Sequence, residues 1–455
     1  MKSMIVRGVL AVGAVALIAA GLQAKPYAQL SSTETQAAGV TPKMVTLNAT
    51  DAAKEIKNEK GIVTFPAEGA YFVIAAGQVG STTGGKGSVK LWMKLDGKDV
   101  DNSNTEQTID GNFTAVLVCQ GVVEAKAGAK LELAFSATKD DQGLGLIFKK
   151  PEGEPAIPSM IFTAFQVDGA AYAQLSSVET QPATATPKMI SMPNTDGAKG
   201  ITNTKGTVAF TEAGTYFVIA AAQVGATAQG GKGSVRLWCA VGGKDVDNSN
   251  TEQSIENGST AVLVCQGIVE AKAGDKLELM QACTGTNVGM VASTPKGEPA
   301  IPSMIFTAFR VDPANFAQLS SSESQPAAAA KAVAMPATDA AKGITNDKGA
   351  VSFPTAGAYF VIGAGQVGAT AEAGKGSVKL WTRVDGKDVD NSNAEASVPP
   401  GFTGVLVTQG VFEAKAGAKL ELFQSGIGTG IGMLATKPKG EPTVPSMIFT
   451  AFRVD

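Results

Sequence analysis

The sequence predicts an all-β protein built from three tandem jelly-roll β-sandwich domains, and three observations predict it. The phrase KDVDNSN occurs at 98–104, again at 244–250 and again at 387–393. Each occurrence follows a GKGSV(K/R)LW phrase that closes on Trp92, Trp238 or Trp381. Between these marks the apolar segments are short and bounded by Gly, Pro, Asn and Asp, with no long stretch of helical period. A chain of 455 residues suits about three domains of ~150 residues each.

The first 24 residues have the pattern of a secretory signal. Lys2 and Arg7 supply positive charge, 9–20 is apolar, and Leu22-Gln23-Ala24 offers a small residue for cleavage. The run is shorter than the ~18 residues that cross a bilayer, and no cysteine follows it to carry a lipid. The expected division is a signal peptide at 1–24 and domains at 25–168, 169–312 and 313–455. No membrane span is expected in the mature chain, which would be secreted or held at the cell surface.

Each repeat opens on (Y/F)AQLSS, at Tyr27, Tyr172 and Phe316. This is read as a strand rather than a linker, because AQLSS persists while the Ala/Pro-rich run after it drifts. In the first repeat further strands are expected near 61–65, 71–79, 88–95, 114–124, 130–135 and 160–167. With the opening strand and one after the DVDNSN phrase the count is about eight, that of a jelly roll.

Periodicity separates these strands into two classes. In 88–95, Val89, Leu91, Met93 and Leu95 share one face while Ser88, Lys90 and Lys94 share the other, as where one side of an antiparallel sheet meets water. Trp92 is the exception on that wet face. YFVIAAGQV, TAVLVCQGVV and SMIFTAF are instead apolar at both parities. A strand buried on both faces needs a cover beyond its own sandwich. The simplest cover is a neighbouring repeat, since burial of apolar area contributes ~25 cal/mol per Å².

FPAEGAYFVIAAGQV, VKLWMKLDGKDV, VLVCQGVVEAKAGAKLEL and PSMIFTAFQVD, in that order, resemble the globular-head domain of complement and the tumour necrosis factor-like superfamily. The likeness spans each repeat and rests on Gly69 with Tyr71, the Asp96-Gly97 hairpin, the Ala-Gly turn before KLEL, and Phe162 with Phe165 in the last strand. The resemblance implies a ten-strand jelly roll assembled as a trimer through its inner sheet. This chain departs from the family in fusing three heads without a collagen or coiled-coil stalk between them. The expected arrangement is therefore a single-chain pseudo-trimer; the competing arrangements are beads on a string and assembly between chains.

Charge and composition narrow the chemistry. With 38 Lys plus Arg against 41 Asp plus Glu and the charges spread along the chain, no basic patch favours nucleic acid. There is no histidine, which removes the usual general base, imidazole-dependent triads and the commonest transition-metal ligand. The phrase DVDNSN concentrates hard oxygen ligands suited to calcium. The candidates are Asp99, Asp101, Asn102 and Asn104, then Asp245, Asp247, Asn248 and Asn250, then Asp388, Asp390, Asn391 and Asn393. It is not an EF-hand loop, since Asn104 stands where glycine is required. The competing reading is a polar hairpin whose Asx side chains bond their own backbone. Calcium is the one cofactor the sequence offers.

The phrase GEP, at Glu154, Glu298 and Glu441, reads as a structural corner. The segment between KLEL and GEP diverges most among repeats and is a candidate binding surface. Cys119 and Cys265 read as buried small hydrophobes. Cys239 and Cys283 occur in the second repeat alone, and the resembled fold would place their strands side by side, which makes them the candidate disulfide. The tryptophans are expected to be partly buried in the sheet, the competing role being that of ligand platforms.

The sequence thus describes a non-enzymatic structural or binding protein that engages an extracellular protein or glycan, or copies of itself, through outer loops. The alternatives are a carbohydrate-active enzyme or its accessory module, and a self-assembling surface-layer or filament subunit.

Overall fold

The computed structural model describes residues 25–256, 258–371 and 373–455; the expected signal peptide lies outside them. The described residues form six antiparallel sheets and no helix, two sheets from each repeat. In the first repeat one sheet runs Tyr27–Ser32, Met160–Gln166, Gly69–Ser81, Leu144–Leu146 and Gln36–Ala37, with Ala115–Ala125 also on Gly69–Ser81. The other runs Thr105–Asp110, Lys86–Leu95, Lys130–Ala137, Ile62–Thr64 and Lys57–Glu59. First and last strands lie together, Tyr27 opposite Phe165 and Ser32 opposite Met160, as jelly-roll sandwiches require.

All eight expected strands of the first repeat are present. Those not foreseen, such as Gln36–Ala37, Lys43–Met44 and Leu144–Leu146, have two or three residues each, too few to show a period. Ala49–Lys54 was missed for another reason: ATDAAK is poor in β-branched and aromatic residues. Its counterparts Asn194–Lys199 and Ala337–Lys342 extend the edge beyond Tyr172–Ser177 and Phe316–Ser321. The hairpin before KDVDNSN turns on Asp96 and Gly97, with φ of 50° and 77°, the double positive φ of a type I′ turn.

The two-sided strands divide by parity as expected. Tyr71 points into its own sandwich, stacking on Phe65 at 4.2 Å and donating to the Ala67 carbonyl at 2.9 Å. Phe72, one residue on, points the other way and meets Phe309 of the second repeat at 5.1 Å and Phe360 of the third at 6.0 Å. Phe72, Phe165, Phe217, Phe309, Phe360 and Phe452, two from each repeat, form one cluster with neighbouring centroids 5.1 to 6.1 Å apart. The second repeat shows the alternation most clearly. Tyr216, Val218 and Ala220 belong to its own core, whereas Phe217, Ile219 and Ala221 join the apolar cluster shared with the other two repeats. Fully burying each phenylalanine contributes about 1.5–3 kcal/mol, and well-placed ring pairs add about 0.5–1.5 kcal/mol each.

The face expected to be wet is not. Lys90 is 7% exposed, because the GEP corner of the second repeat sets Glu298 against it, and Trp92 is 2% exposed, with Asp99 of its own repeat taking its indole N–H. Alternation registers the polarity of a face. Here that polarity is matched by a neighbouring repeat rather than by water.

Candidate functional site at the repeat seams

The KDVDNSN phrase folds back on its own sheet and reaches across to the next repeat. Lys98–Asp99 pairs with the end of Lys86–Leu95. Asp99 then accepts from Trp92 Nε1 at 2.8 Å and from Lys94 Nζ at 2.6 Å. Asn102 takes a φ of 57°, a left-handed conformation that asparagine tolerates, and donates to Asp196 of the second repeat at 2.7 Å. Asn104 is fully buried and donates to the Pro299 carbonyl at 2.9 Å.

The other two phrases make the same contacts. Asn248 donates to Asp339 and Asn250 to the Pro442 carbonyl, from the second repeat to the third. Asn391 donates to Asp51 and Asn393 to the Pro155 carbonyl, from the third repeat to the first. Trp238 and Trp381 donate to Asp245 and Asp388 as Trp92 does to Asp99. The tryptophans are therefore wholly buried rather than partly, each with its indole N–H satisfied.

The twelve candidate ligands are spread over different tasks. Asp99, Asp245 and Asp388 hold the indoles, all six asparagines point their amides across a seam, at Asp196, Asp339 and Asp51 or at the carbonyls of Pro299, Pro442 and Pro155, and Asp101, Asp247 and Asp390 are exposed. Among the described residues no three His, Cys, Asp or Glu side chains converge as a metal site.

Three further sets of contacts cross the same seams. The GEP glutamates meet buried cations. Lys90 pairs with Glu298, Arg236 with Glu441 in a two-toothed contact at 2.5 and 2.6 Å, and Lys379 with Glu154. Burial alone would lower the Arg236 guanidinium, but the hydrogen bonds and charge of Glu441, with Glu252 behind, hold it above its ordinary value. Gln223 clasps the Glu106 backbone at both N–H and C=O, 2.8 Å each; Gln366 does so at Glu252 and Gln78 at Glu395. The AQLSS glutamines accept backbone N–H groups across the seams: Gln174 from Val122, Gln318 from Ile268 and Gln29 from Val411.

Tyrosine distinguishes one seam from the others. Tyr27 donates to Glu413 at 2.6 Å and Tyr172 donates to Glu124. Burial and the facing carboxylate push the Tyr172 phenol up to about 12. The third position is Phe316, so the seam between the second and third repeats lacks this bond.

Cavities open beside these contacts. One of about 330 Å³ is lined by Asp101, Glu124, Tyr172 and Asp196 over Met93 and Val122, and a counterpart of about 260 Å³ by Asp51, Asp390 and Glu413. A cavity of about 710 Å³ lies over Phe165, Phe309 and Phe452, with Arg310, Arg453 and Asp168 among its walls.

These carboxylates give the stability a pH signature. Burial pushes Asp51, Asp196 and Glu106 up. Burial acts the same way on Asp99, Asp168 and Asp388, but bonds to Lys94, Ala170 with Arg310, and Arg383 prevail and hold them low. The raised groups bind protons more tightly when folded, so their stabilisation is complete below their unfolded values and is lost as pH rises through the folded ones. The lowered groups stabilise above the ordinary aspartate value of ~3.9 and lose this as pH falls through their folded values. Thermal melts should therefore peak between about pH 4 and neutrality; a melting temperature rising steadily from acid to pH 8 would contradict these assignments.

The expected Cys239–Cys283 disulfide is corrected by the register. Their strands Lys232–Val241 and Lys276–Thr286 do lie side by side, but Cys239 stands opposite Leu279 and Cys283 opposite Val235. Four residues of offset separate them by ~13 Å along the strand, beyond the ~7 Å that a disulfide allows between Cα atoms. All four thiols are free and buried.

The variable segment between KLEL and GEP begins and ends on fixed strands. Leu144, Leu146, Val288, Met290, Ile431 and Met433 are buried, while the tips between, such as 139–141 and 284–287, are exposed. Among the described residues no helix is long and apolar enough to cross a membrane.

No protein-family model and no curated protein matches the chain. Among solved structures, the globular domain of zebrafish complement 1qA protein aligns at 15% identity over 32% of this chain and 98% of that chain, with a TM-score of 0.22.

Proposed function

We propose that the chain is a secreted or surface-held, non-enzymatic binding protein whose domains, 25–168, 169–312 and 313–455, close about one axis as a single-chain pseudo-trimer. The observation that carries the reading is cyclic: the Asn–Asp, Asn–carbonyl, Lys/Arg–Glu and Gln–backbone contacts from first repeat to second recur from second to third and from third to first. A linear string has no third seam. KDVDNSN is then the clasp of the assembly, and its polar letters serve packing rather than chemistry. The extracellular address rests on the signal pattern at 1–24.

Small-angle scattering tests the closure. A compact monomer with one cooperative unfolding transition supports it, and an elongated particle with separately melting domains contradicts it. Because Asp99 is held by Trp92 and Lys94 and the Asn104 Oδ1, although without a partner, is buried with no three acidic side chains converging among the described residues, calcium should leave the melting temperature unchanged relative to chelator; a concentration-dependent rise would restore the calcium assignment.

Ligand contact is assigned to the outer tips between KLEL and GEP, which differ among the three repeats on a common frame. An extracellular glycan or protein is the partner class. Replacing 138–142 and the two equivalent tips by Gly-Ser should preserve melting and scattering while abolishing binding on glycan and matrix-protein arrays. Arrays on which the unaltered chain binds nothing, or binding that survives the replacement, would contradict this assignment.

A further inference from the structure

We infer that Cys239 and Cys265 form a disulfide that staples the two sheets of the second domain together. Their sulfurs lie 3.7 Å apart, on strands Lys232–Val241 and Thr260–Ala271 of opposite sheets.

The contact is built by the backbone. Ser249, in the second KDVDNSN phrase, accepts the Cys239 N–H on its hydroxyl at 3.1 Å and the Cys265 thiol on its carbonyl at 3.1 Å. One residue thus holds both strands and sets the two side chains face to face. The same frame stands in the other repeats. Ser103 takes the Met93 N–H and the Cys119 thiol, and Ser392 takes the Thr382 N–H and the Thr408 hydroxyl. Only the second repeat has cysteine at both places, and Cys119, facing methionine, is an internal control at an equivalent site.

The step balances with a disulfide oxidant such as oxidised glutathione. One cysteine thiolate attacks the oxidant's S–S bond and releases one glutathione thiolate, giving a mixed disulfide. The second cysteine, having lost its proton, attacks that mixed disulfide. The Cys239–Cys265 bond forms and the second glutathione leaves, so two protons and two electrons pass from the protein to the oxidant. Both cysteines are buried, at 4% and 1% exposure, so the exchange belongs before the sandwich closes or during its opening.

The inference goes beyond the assembly reading and does not depend on ring closure or export, since the test uses purified chain. The chain is treated with oxidised glutathione both while folded and during refolding from the reduced, denatured state. It is then denatured, alkylated without reductant and mapped by mass spectrometry. The expected result is a cross-linked peptide containing Cys239 and Cys265, lighter by two hydrogen atoms, with Cys119 and Cys283 alkylated. Reduction should lower the melting temperature of the cross-linked chain by several degrees, with no such shift in Cys239→Ser. Full alkylation of both cysteines under both treatments, or linkage of either to Cys283, overturns the inference.

Discussion

Phe217→Ala lowers the unfolding free energy by about 3–5 kcal/mol, the cost of emptying a packed aromatic site. Within the second repeat nothing would foretell this. Phe217 lies on the side of Gly214–Ala226 opposite Tyr216 and the domain's own core, so an isolated domain would leave it on the surface, where substitution costs about 0.5 kcal/mol or less. Its partners are Phe72 of the first repeat, Phe360 and Phe452 of the third, and Phe309 of its own last strand. Chemical denaturation of the whole chain reads the difference. A change within experimental error would show that the rings do not pack across repeats.

Glu441→Ala should cost a similar amount, about 3–5 kcal/mol, because it strands a buried guanidinium. Arg236 is 5% exposed and Glu441 takes two of its N–H groups, leaving Glu252 at 3.3 Å as the remaining carboxylate. Removing both charges, as Arg236→Met with Glu441→Leu, should recover most of the loss, since apolar replacement of a buried pair is often close to neutral. A single variant that unfolds like the parent would place this pair in water rather than in a seam.

The sequence made the fold legible through parity and repetition. YFVIAAGQV is apolar at both parities, and the structure resolves that excess into Tyr71 facing its own sandwich and Phe72 facing the other repeats. The seams were harder to read. Lys90 and Trp92 share a polar parity that reads as a wet face, because a pattern within one strand records polarity and cannot say whether a distant Glu298 or solvent matches it. KDVDNSN carries letters suited to calcium, yet its asparagines serve as donors across the chain, a role that composition does not separate from ligation. The GEP corners showed as turns while their glutamates' charge partners, in another repeat, did not. The Cys239–Cys283 expectation placed the right strands together and failed on register, which a shift of four residues decides and a list of strands does not contain. The AQLSS glutamines were marked only by their persistence, and a buried glutamine reaching a backbone N–H elsewhere leaves no local pattern.

The closure of the third repeat onto the first is tested most directly by a cross-link. Asn391 and Asp51 are in contact at 2.8 Å although 340 positions apart, and a string of independent domains has no reason to bring them together. A chain carrying Asn391→Cys and Asp51→Cys, oxidised at high dilution, should give a cross-linked monomer that runs faster on a non-reducing denaturing gel, in a yield independent of concentration. Free thiols at both positions, or cross-linked dimers that rise with concentration in place of the monomer, would contradict a ring closed within one chain.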